Sequence, residues 1–230
     1  MKSTDAPGRE EAGTAAMRSG YRDAESPETA AAHAADEPDR RGWFYRVVAP
    51  GSDLAVLEIG APFVRTWFSD VVSYDSGALC RQPSPGPRFA MVILHLTLGG
   101  CASIAEALRA AHGLLEPGGI VALAGVNRIR VPATRDANAP VPRATPWGYR
   151  SAARHAGFSQ VDLYVAQPDF DESIHVVSTA PASSRAFFRH ELAARSASGR
   201  NRLPLARRLL AELNLAPHLQ PFYFVVARKC

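Results

Sequence analysis

Four short aliphatic runs, LAVLEIG (54–60), VVSYD (71–75), FAMVILHL (89–96) and GIVALAGV (119–126), follow one another in the first half of the chain. Each is too short for a core helix and apolar without alternation, the pattern of a strand buried on both faces of a sheet. What separates them has a different period. In SIAEALRAAHGLLEPGG (103–119), Ile104, Ala107, Leu108, Ala111, Leu114 and Leu115 recur at spacings of three and four, as an amphipathic helix requires, and Pro117, Gly118 and Gly119 stop it. PFVRTWFSD (62–70) sets Pro62 where the first turn of a helix accepts it. Strands alternating with helices demand parallel crossovers. The chain is therefore expected to be α/β, a doubly wound, mostly parallel sheet whose ligands lie at the carboxyl ends of its strands.

The second half continues the pattern once and then departs from it. WGYRSAARHAGF (147–158) reads as a helix and SQVDLYVAQP (159–168) as a strand. After a polar stretch come two helical segments, SSRAFFRHELAAR (183–195) and PLARRLLAELNL (204–215), and the chain ends with PFYFVVARK (221–229), whose aromatic and β-branched residues favour a strand. A strand that returns after a helical excursion is expected to pair antiparallel at the sheet edge.

At 230 residues and 47% hydrophobic content the chain can bury one sizeable core. Residues 1–42 hold nine acids and six bases among Ala, Ser, Pro and Gly. That mixture buries too little apolar surface to offset the entropy of ordering, and a disordered tail is expected there, with one domain over 43–230. No apolar stretch suits a membrane span or a secretory signal, so a cytoplasmic location is the expectation. Cys80, Cys101 and Cys230 are widely spaced and read as reduced thiols, with neither a disulfide framework nor a metal site. Residues 181–230 carry nine bases against two acids. This excess is either a solvated helical face or a surface for an anionic partner; without interleaved aromatic platforms it argues against nucleic acid.

Together these pieces resemble the class I S-adenosylmethionine-dependent methyltransferases over residues 43–230. VLEIG is similar to their first motif, VVSYD to their second strand ending in an acid, FAMVILHLTL to their fourth strand, LLEPGGIVALAG to their fifth, and AGFSQVDLY and FYFVVARK to their sixth and seventh. The resemblance implies a Rossmann-like fold with an antiparallel C-terminal strand and S-adenosylmethionine as cofactor. It implies Glu58, Gly60 and Ala61 at the first turn, Asp75 on the ribose with Ser76 beside it, and His95 with Leu96 at the methyl-transfer mouth. No catalytic residue is assigned; His95 is a candidate base, a lone histidine at the end of a strand being otherwise a structural hydrogen-bonder. A glycine is needed at the first turn because main chain must approach the cofactor closely.

Two departures stand out. The glycine-rich turn is reduced to Gly60-Ala61-Pro62. Only SGALCRQPSPGPR (76–88) lies between the second strand and Phe89, so part of the third-strand region is missing and Cys80 or Arg81 would line the adenine pocket. The resemblance implies methyl transfer to a small-molecule, glycan or peptide biosynthetic intermediate, with a helical insert at about 181–215 covering the acceptor. Arg185, Arg189, Arg195, Arg200, Arg202, Arg207 and Arg208 would form its basic face, Arg185 and Arg189 serving as substrate ligands for an anionic acceptor. The alternative is a non-catalytic scaffold that keeps the sheet. An NAD(P)-dependent oxidoreductase is disfavoured by the absence of G-x-G-x-x-G.

Overall fold

The computed structural model describes residues 40–51, 53–75, 77–81, 88–129, 141–168, 170, 173–197 and 209–230. By internal contacts the chain divides after Glu37, and the described architecture is that of the Pro38–Cys230 unit. The expected disordered tail falls outside the described residues except at its end, where Arg40–Gly42 form a 3-10 turn that leads into helix α1, Trp43–Val48.

Each aliphatic run becomes a strand: β1 (Ala55–Ile59), β2 (Asp70–Tyr74), β3 (Phe89–His95) and β4 (Leu115–Asn127). They pair in parallel in the order β2-β1-β3-β4. The remaining strands are β5 (Arg143–Ala144), a short parallel partner of β4, β6 (Phe158–Gln167), β7 (His175–Ser178) and β8 (Phe222–Lys229). The full order is β2-β1-β3-β4-β8-β6-β7, so the sheet is mostly parallel with an antiparallel C-terminal strand.

The terminal strand corrects one expectation. β8 is antiparallel, yet it runs in the interior between β4 and β6, not at the edge. Tyr223 to Ala227 are buried without interruption, which only a strand covered on both faces allows. The edge on that side belongs to β7, paired antiparallel with β6. β7 lies in the stretch read as polar; at four residues, opening on His175 and ending in Ser178, it has too little apolar periodicity to stand out. The other edge is β2, which alternates between exposed and half-buried because no third strand lies outside it.

One face of the sheet, with Leu57, Ile59, Leu94, Leu123 and Val225, is covered by α2 (Ile104–Leu114) and α3 (Pro146–His155). Ser103 caps α2 by accepting the Glu106 main-chain N–H, while Glu106 accepts that of Ala102. Thr145 does the same for α3 through Gly148, with Pro146 in the first turn. The opposite face, with Val56, Met91, Ile93, Ala122 and Phe224, has a thinner cover: α1, the 3-10 turn Pro62–Thr66, Phe68 and Phe170. Phe44 of α1 stacks on Phe224 with ring centroids 4.4 Å apart, which pins the helix to the sheet.

Between β7 and β8 the expected insert includes α4 (Pro181–Ala197) and a helical piece at 209–212. Arg189 forms a two-pronged ion pair with Glu212, tying the two together.

Candidate functional site

The chain leaves β1 toward β2 on one side and returns to β3 on the other. Strand order therefore reverses between β1 and β3, and the crevice outside their carboxyl ends is where such sheets bind ligands. Five of the expected site residues lie there. In β1, Glu58 shares a face with Val56 and lies in register with Ile93 of β3 and Ser73 of β2. Gly60 follows the strand, and Asp75 stands one position beyond Tyr74, the partner of Ile59, which sets it opposite Gly60 at the exposed sheet edge. His95 ends β3. Ser76 lies outside the described residues.

Gly60 has φ +80°, a backbone conformation that costs any side chain strain. A Cβ there would also come within 2.7 Å of the His95 carbonyl oxygen and 3.2 Å of Thr97 Cγ2. The glycine is thus required by the protein's own main chain as well as by any ligand. Ala61 is fully buried beside it.

Glu58 is 3% exposed, and its Oε2 has no hydrogen-bond partner among the described residues. A buried carboxyl oxygen left unpaired is costly, of the order of 1–3 kcal/mol, and such groups mark places where a donor is missing. The Tyr45 hydroxyl lies 2.8 Å from His95 Nδ1. Burial, and after it neighbouring Glu58, raise the Tyr45 phenol well above its ordinary range. Burial, and after it the Arg41 guanidinium, lower His95 to about 4. Both rings are accordingly neutral near pH 7. Around the imidazole stand Phe63 at 5.0 Å and Phe170 at 5.7 Å, both edge-on, with the Arg41 guanidinium over the Phe63 ring at 4.7 Å.

The reading of reduced thiols at Cys80 and Cys101 is corrected: the two are joined in a disulfide, their Cα atoms 5.5 Å apart. The cause is tertiary. The short segment 77–81 packs directly on the turn after β3, where Gly99 and Gly100 leave no room for a Cβ against Leu79 and Gly77, and Leu79 is buried in the core beneath. Of Cys80 and Arg81, expected to line the adenine pocket, one is bonded to Cys101 and the other donates from Nε to the Gly77 carbonyl. Cys230 is free and exposed.

Arg185 is exposed on α4, whereas Arg189 is engaged by Glu212. The structure thus gathers Glu58, Gly60, Ala61, Asp75 and His95 at one sheet end and leaves both arginines on the insert. Tyr45, Phe63 and Phe170 escaped the sequence reading. Tyr45 follows a tail of opposite composition, Phe170 sits in a polar stretch, and neither carries a local motif.

No protein-family model matches the chain, and no curated protein does. Among solved structures it is similar to a SAM-dependent methyltransferase from Thermotoga maritima, at 12% identity and TM-score 0.47 over 82% of this chain and 88% of that one. It is similar to one from Geobacter sulfurreducens in complex with S-adenosylhomocysteine, at 14% and 0.43 over 84% and 90%. It is also similar to phosphoethanolamine N-methyltransferase 2 of Haemonchus contortus, at 11% and 0.48 over 83% of this chain and 52% of that one. At these values the neighbours assign no residue. The strand order carries the fold: the strands matched to the family's second, first, fourth, fifth, seventh and sixth lie side by side in that order. No helix among the described residues is long and apolar enough to cross a membrane.

Proposed function

We propose that this chain transfers a methyl group from S-adenosylmethionine to a small-molecule acceptor, a glycan or peptide intermediate falling within the same class. The observation that carries the reading is Glu58: a buried carboxyl group with an unpaired oxygen, at the carboxyl end of β1, where the strand order reverses. An ammonium group, such as the one on the amino-acid arm of this cofactor, is what that atom lacks. Gly60 and Ala61 would offer main chain to the same arm, Asp75 would accept the ribose hydroxyls with Ser76 beside it, and His95 would stand at the mouth. When bound, the cofactor supplies an electrophilic methyl group, so the protein's task is chiefly to align an acceptor and exclude water.

The insert would cover the acceptor, with the exposed Arg185 as a cation for an anionic group among the described residues. Arg189 fits that role less well, since Glu212 already engages it.

A second reading, a scaffold without turnover, is favoured by one observation. Segment 77–81, which would have to line the adenine pocket, is held closely against 99–101 by glycine contacts and the disulfide. Calorimetric titration of the full chain with S-adenosylhomocysteine separates the two. Saturable one-to-one binding supports the transferase, and no heat at millimolar ligand leaves the scaffold.

A further inference from the structure

We propose that Tyr45 is the positioning residue for His95: its hydroxyl donates to Nδ1 and holds the imidazole in the Nε2–H form, so that His95 meets a ligand as a hydrogen-bond donor and not as a base.

The assignment follows from counting protons. Tyr45 is fully buried, and its hydroxyl has one neighbour within hydrogen-bonding distance among the described residues, His95 Nδ1 at 2.8 Å. A phenol has one proton to give, and imidazole Nδ1 either accepts or donates. Were Nδ1–H to donate, the phenolic proton would be left without an acceptor inside the core, because Glu58 Oε2 stands unpaired and does not receive it. Such an orphan is disfavoured by roughly 1–3 kcal/mol, enough to decide the tautomer. With Tyr45 donating, both groups are satisfied and the remaining ring proton is on Nε2. Among the described residues no partner takes it.

The packing makes this arrangement rigid. The Tyr45 ring meets Phe224 edge-on at 5.6 Å, while Phe63 and Phe170 fix the imidazole plane. The groups bearing on the pair are Glu58 from β1 and Arg41 from the turn before α1. Since the ring resists a second proton until well below neutrality, it is a poor base in this state. This replaces the candidate catalytic base at His95 with a neutral donor, so an acceptor that must lose a proton gives it to a group other than His95. The role toward a ligand rests on the methyltransferase reading; the tautomer does not.

Long-range proton–nitrogen correlation on histidine-labelled full-length protein tests it, with the His95 signals identified by their loss in His95→Gln. An unprotonated Nδ1 and protonated Nε2, constant from about pH 6 to 8, are expected; a protonated Nδ1 in the wild type overturns the proposal. Tyr45→Phe, with unaltered circular dichroism, is expected to show both tautomers, and an unchanged spectrum overturns the role of Tyr45. For the donor role, His95→Gln keeps an N–H near the Nε2 position and is expected to bind S-adenosylhomocysteine within about threefold of wild type, while His95→Leu loses about tenfold. Equal loss in both overturns the donor role. If the wild type binds none, the methyltransferase reading and the donor role fall together, and the tautomer is still read from the spectra.

Discussion

A methyl group built on Gly60 would sit 2.7 Å from the main-chain oxygen of His95, closer than folded proteins tolerate. Because Gly60 also has φ +80°, Gly60→Ala combines left-handed strain with a clash against backbone that cannot step aside. We expect a loss of at least about 1–3 kcal/mol in denaturant unfolding. A variant as stable as the wild type would show that the turn is looser than described.

Asp75 is exposed at the end of an edge strand, so its removal should leave the fold alone and report only on ligand. If it accepts the ribose hydroxyls, Asp75→Ala weakens S-adenosylhomocysteine binding by roughly tenfold to a hundredfold, the equivalent of about 1.5–3 kcal/mol, at an unchanged melting temperature. Equal affinities by calorimetry would remove Asp75 from the site.

The Cys80–Cys101 bond closes a loop of 21 residues. On the chain-entropy account it stabilises the fold by about 3 kcal/mol, so reduction by dithiothreitol should lower the denaturation midpoint. In the unreduced protein, thiol titration under denaturing conditions should find Cys230 alone, and all three cysteines after reduction. Three reactive thiols from the outset would contradict the pairing.

His95 makes stability pH-dependent. Its folded value is about 4 against 6.5 for an ordinary histidine. The unfolded chain therefore takes up the proton first, and stability falls as pH drops from about 6.5 toward 4. The contribution is fully present above that window and amounts to roughly 3 kcal/mol when lost. Chemical denaturation across the window should give a shallower slope for His95→Gln than for the wild type. Parallel slopes would mean that the imidazole is hydrated.

Glu58, Gly60, Asp75 and His95 were singled out by the family resemblance, but the strands β1 to β4 and helices α2 and α3 were legible in the sequence itself. Their signals are local: an unbroken aliphatic run, a three-and-four spacing, a capping Ser103 or Thr145, a glycine that ends a strand. β7 and α1 carried weaker local signals, four and six residues long, and gain their order from what they pack against. The candidate base at His95 was legible as a residue but not as a chemical state, since its state depends on Tyr45, fifty positions earlier.

Periodicity and turn residues thus determined, from the sequence alone, that this chain builds a doubly wound sheet, which sets the expected ligand side at the carboxyl ends of its strands. Three things were decided only by tertiary structure: the insertion of β8 between β4 and β6, the bond between Cys80 and Cys101, and the burial of Glu58 with one oxygen unpaired. The reason is the same in each case. Which strand fills a gap, which thiols come within bonding reach and which carboxyl loses its water are set by contacts between segments far apart in the chain, and the local pattern of either segment carries no record of the other.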